Sequence, residues 1–156
     1  MDIIFFKKYF IQQLKINTKL QILRNNFFTE IQYDIALKLI TFFWKKETYL
    51  IARSDVRLEL HSFNRLLETI DGENLLIVIK NEFCTISPEM QTWINQNVTS
   101  LFEKLAIRKI AIIPPTDYIA DLSVKQTINE AKEILKNKIT IRVFDTEQTA
   151  RRWLRP

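Results

Sequence analysis

A chain of 156 residues has room for one hydrophobic core and not for two independent ones. A hydrophobic share of 47% with 26% charged residues is that of a globular protein, and no apolar run approaches the roughly 20 residues that span a bilayer. The net charge of +5 sits at the front, where Lys7, Lys8, Lys15, Lys19 and Arg24 face only Asp2 within residues 1–26, so the rest is nearly neutral and lacks the basic cluster that nucleic acid requires.

The rare residues exclude further classes. Cys84, the only cysteine, makes no intramolecular disulfide, and Lys7 and Lys8 interrupt the apolar stretch at residues 3–6 too early for a secretory signal, which together point to the cytoplasm. One histidine, His61, and one cysteine fall short of a His/Cys zinc set. Gly72 is the only glycine, so there is no Gly-rich phosphate loop and no dinucleotide fingerprint. No metal or cofactor is expected.

In chain order, residues 1–26 mix their cations with Ile3, Phe6, Phe10 and Leu14 on one helical face, which reads as a basic amphipathic extension with peripheral membrane contact as its candidate role. Residues 28–34 alternate apolar and polar, and residues 36–44 are rich in β-prone side chains, which predicts a hairpin turning near Asp34. Val56, Leu60, Phe63, Leu67 and Ile70 follow a helical period, and Asp71 with Gly72 is expected to close that helix through a left-handed residue. Residues 75–79 form a continuous apolar run, the mark of a central strand buried on both faces. Ser87, Pro88 and Glu89 supply an N-cap, a first-turn proline and a first-turn acid for a helix carrying Met90, Ile94, Val98, Leu101 and Leu105.

Residues 110–113 are a second apolar strand, stopped by Pro114 and Pro115. Residues 117–122 read as a short helical turn, and Ser123 with Gln126 as a capping box opening a separate helix. Residues 139–144 are the last strand, and Asp145 with Gln148 is expected to cap a final helix bearing Ala150, Trp153 and Leu154. This pattern predicts an α/β fold with a mixed, mostly parallel sheet of about five strands, an N-terminal β-hairpin and helices packed on it. The domain is read as residues 27–156, preceded by the extension at 1–26.

With the sequences at residues 86–94 and 144–154, this order of elements resembles the bacterial STAS-like family related to the sporulation anti-anti-sigma factor, whose fold is shared with CRAL-TRIO lipid carriers. The resemblance covers roughly residues 28–155. It implies a non-enzymatic regulatory or protein-interaction module, with a carrier or sensor of a small apolar or lipid-like ligand as the alternative. The family's phosphorylatable serine follows a central strand in an Asp-Ser pair; here that pair is absent, and Ser87 is followed by Pro88.

Sites in such sheets gather where strands end, which selects residues 80–87 and 114–122. Phe83, Thr85, Ser87, Trp93 and Tyr118 are the candidate ligand- or partner-binding residues, Phe102 is a further aromatic of the same group, and Ser87 doubles as a candidate phosphorylation site. Ser87 also reads as a plain N-cap, Glu82 as solvated and Glu89 as a first-turn acid. No catalytic residue emerges, because Cys84 has only His61 to pair with, on a different element. The expected partner is a protein or a small apolar ligand, with a homodimer among the options.

Overall fold

The computed structural model describes residues 20–80, 85–136 and 138–156. The amphipathic pattern at 3, 6, 10 and 14 therefore lies outside the described residues, as do Glu82, Phe83 and Cys84. Among the described residues six strands form one sheet in the order of the chain: β1 (Leu20–Asn25), β2 (Thr29–Asp34), β3 (Leu39–Trp44), β4 (Asn74–Ile79), β5 (Lys109–Ile113) and β6 (Thr140–Val143). The first three are antiparallel neighbours, and β3 to β6 run parallel. The predicted fold class is thus correct. The sixth strand is β1, drawn from the stretch read above as part of an extension.

β1 belongs to the sheet for reasons of register and charge. A bulge between Ile22 and Arg24 interrupts its pairing with β2, and Leu23 packs against the core. Beyond the bulge, Arg24 meets Glu59 on the following helix, with Nη2 donating to Oε1 at 3.0 Å and Nε to Oε2 at 3.2 Å. Asn26 Nδ2 at 2.9 Å and Thr29 Oγ1 at 2.7 Å donate to the same carboxylate. Burial pushes the Glu59 carboxyl up, but these hydrogen bonds outweigh it and hold the group below its ordinary value.

Three helical crossovers join the parallel strands: α1 (Arg53–Thr69), α2 (Pro88–Ile94, continuing through a π turn at Asn95–Thr99 into Ser100–Phe102) and α3 (Tyr118–Leu135). All three pack on one sheet face and share its larger core, with Leu60, Phe63, Val98, Phe102, Val124 and Ile128 set against Ile40, Phe42, Leu75 and Ile110. Neighbouring parallel strands linked in chain order by same-handed crossovers put every crossover on one side. The opposite face holds a smaller core of Leu39, Leu76, Val78 and Ala111, closed by Ala150 and Leu154 of α4 (Glu147–Leu154). β4 lies between β3 and β5 and buries Leu75 and Leu76 completely, as its unbroken apolar run requires.

Three local expectations are corrected. Gly72 has no positive φ; a Cβ there would run into Ile40, so close packing rather than a left-handed cap demands glycine. α3 is continuous from Tyr118, because Asp117 Oδ1 already accepts from Ala120 N–H at 2.9 Å and nothing in the next turn breaks the helix; Ser123 is an interior buried residue, not a cap. Thr146, not Asp145, caps α4, its hydroxyl accepting from Thr149 N–H at 3.2 Å.

Candidate functional site

Between the sheet and the three crossover helices lies a cavity of about 280 Å³. Its floor comes from alternate residues of the parallel strands, including Phe42 and Trp44 of β3, Ile77 and Ile79 of β4, Ile112 of β5 and Ile141 of β6. Its roof is Val56 and Phe63 of α1, Val98 and Phe102 of α2, and Ile128 and Ala131 of α3. The space exists because the roof is uneven. Phe42 and Phe63 stack at a centroid distance of 4.4 Å, while Ala131, Thr127 and Thr99 leave a gap that their short side chains do not fill.

The buried hydroxyls in the wall are already committed. Thr48 Oγ1 donates to the Lys45 carbonyl, Thr99 Oγ1 to Asn95 Oδ1 at 2.9 Å, and Thr127 Oγ1 to the Ser123 carbonyl at 2.9 Å. Asn95, at the π turn that presents Val98 and Thr99 to the cavity, in turn donates to Glu130 Oε2 at 2.8 Å. With their protons used internally, these groups leave the interior apolar in effect.

The exposed members of the lining are Arg53 and Thr85, which mark where the cavity meets solvent near the carboxyl ends of β3 and β4; Ile51, Ile86 and Ser87 are half-buried beside them. Residues 85–87 are moored to α3 and α2. The Ile86 N–H donates to Ser123 Oγ at 3.0 Å, and Gln91 Nε2 donates to the Ile86 carbonyl at 3.1 Å. Ser87 Oγ accepts from Met90 N–H at 3.3 Å, the N-cap role read from the sequence. Glu89 stands just outside; its own backbone N–H, then the Ser87 hydroxyl, then Arg53 hold its carboxyl below the ordinary value.

The candidates chosen from sequence divide. Thr85, Ser87 and Phe102 line the cavity. Trp93 does not; its ring packs edge-on to the exposed His61 at 5.2 Å, with the Arg57 guanidinium 5.4 Å from its centroid. Tyr118 is 77% exposed and forms, with Ile119 and Leu122, an apolar patch on the first turns of α3. A crevice at the strand ends needs crossovers on opposite faces, and all three share one face here, so the space opens beneath the helices instead. Most of the lining was read from the sequence only as core. Short residues on facing helices, such as Thr99 and Ala131, are the signal that was there to find.

Among the described residues no group of three or more histidine, cysteine, aspartate or glutamate side chains forms a metal cluster, and no helix is long and apolar enough to cross a membrane. The chain matches no protein-family model, no curated protein and no solved structure, so its fold and its cavity carry the functional reading.

Proposed function

We propose that this chain is a non-enzymatic binding domain, a carrier or sensor that takes a small apolar molecule into the cavity between its sheet and its crossover helices. The observation that carries this is the cavity's volume set against its lining. Because the cavity opens to solvent near Arg53 and Thr85, water that enters it meets a largely apolar wall, a contact that costs free energy at roughly 25 cal/mol per Å² of apolar surface left wet. An occupant would recover much of that cost. The lining holds no carboxylate, histidine or cysteine among the described residues, so it offers binding without an acid, base or thiol nucleophile.

Native mass spectrometry of the purified protein, together with uptake of an uncharged aliphatic probe such as 1-decanol, tests the reading. Ala131→Leu fills the roof and should raise the melting temperature of the empty protein while abolishing probe uptake. If wild type takes up no probe, or the filled variant takes it up equally, the cavity is not a binding site.

A second reading rests on the exposed patch of Tyr118, Ile119 and Leu122, beside the segment that Ser123 moors. It supports the regulatory-module alternative, with a second copy of this chain as the partner. Sedimentation should then show a dimer that Ile119→Asp dissociates. A monomeric wild type would end it.

A further inference from the structure

Resting on the cavity reading above, we infer that the occupant is a single-chain aliphatic carboxylate of about ten carbons, with its tail under the helices and its carboxylate at Arg53. The shape of the space supports a chain over a ring system. The lining crosses from Trp44 on β3 to Ile141 on β6, three strand spacings or about 14 Å. An extended chain of about ten carbons matches that span, whereas a compact ring system of equal volume does not. The capacity agrees: apolar cavities of about 150 Å³ hold one benzene, so this one holds roughly ten to twelve carbons.

The polarity of the space fixes which end goes in. Thr48, Thr99 and Thr127 have spent their protons within the protein, so a polar head buried among them would lose hydration for little return. At the mouth the situation reverses. Among the described residues Arg53 is the only charged one in the lining, and no carboxylate among them lies within ion-pair distance of it. Its planar fork matches a carboxylate, and the hydroxyl of Thr85 stands at the same opening, whereas that of Ser87 already serves Glu89. Glu89, which lies outside the lining but close enough to Arg53 for the two charges to interact, works against an anionic head. The head group is thus read by the balance between one arginine and one glutamate.

Calorimetric titration of the full chain with decanoate, 1-decanol and decylamine, each below its micellar concentration, separates head from tail. Decanoate should bind about tenfold more tightly than 1-decanol and more tightly still than decylamine, as one charge-assisted contact provides. Arg53→Gln should weaken decanoate about tenfold and leave 1-decanol unchanged, while Glu89→Gln should strengthen decanoate severalfold. Equal affinity for decanoate and 1-decanol, preference for decylamine, or an equal loss for both ligands in Arg53→Gln would overturn the head-group assignment while leaving an apolar binding site in place. Failure of all three to bind would remove the cavity reading as well.

Discussion

Lys136 closes α3 with φ of +41°, a left-handed conformation that costs a side chain with a Cβ about 1 kcal/mol relative to glycine. Its side chain is exposed, so Lys136→Gly should raise stability by about 1 kcal/mol, read as a higher urea midpoint at unchanged slope. Gly72→Ala should do the reverse. The new methyl would meet Ile40 in the core, and a loss of about 1–3 kcal/mol is expected from the same denaturation curves. Glu59 adds a pH dependence. Its folded carboxyl titrates below the ordinary value of 4.5, so its stabilising contribution is complete above that value and is lost as the pH falls through the lower, folded one. Glu59→Gln should therefore flatten the stability profile below the ordinary carboxyl value while lowering stability at neutral pH, measured by thermal melts from neutral into acid pH.

At the scale of elements, β1 decides where the domain begins. The sequence reading predicts that removing residues 1–26 leaves the fold undisturbed. The structure predicts otherwise, because that deletion takes away an edge strand together with Arg24 and Asn26 and strands the Glu59 carboxylate on α1. A destabilisation of about 3 kcal/mol or more is expected in urea unfolding of the truncated chain. Strand and helix positions were legible wherever period and caps agreed, as in the apolar run of β4 and the Ser87-Pro88-Glu89 start of α2. β1 was not, since its alternation is broken by the bulge and its cations suggested a separate tail. Ser123 misled because a serine three residues before a glutamine is a capping signal only if no stronger cap precedes it, and Asp117 does. The cavity was beyond the sequence for a different reason: periodicity tells which residues face inward, not whether the side chains they face reach them.

For the molecule as a whole, chain-order pairing has a kinetic consequence. Every strand binds the one made just before it, yet each parallel pairing joins distant residues, Leu39 with Asn74, Asn74 with Lys109 and Lys109 with Thr140, so sheet growth closes long loops and refolding after dilution from denaturant should take milliseconds or longer. The second face of the sheet follows a different schedule. Leu39, Leu76 and Val78 are in place early, but Ala150 and Leu154, which cover them, come from the last described helix. A chain growing from its amino end carries that apolar strip uncovered until residues 147–154 have been made, making α4 a built-in quality checkpoint: a polypeptide halted before residue 147 presents a sticky sheet face that chaperones and proteases recognise.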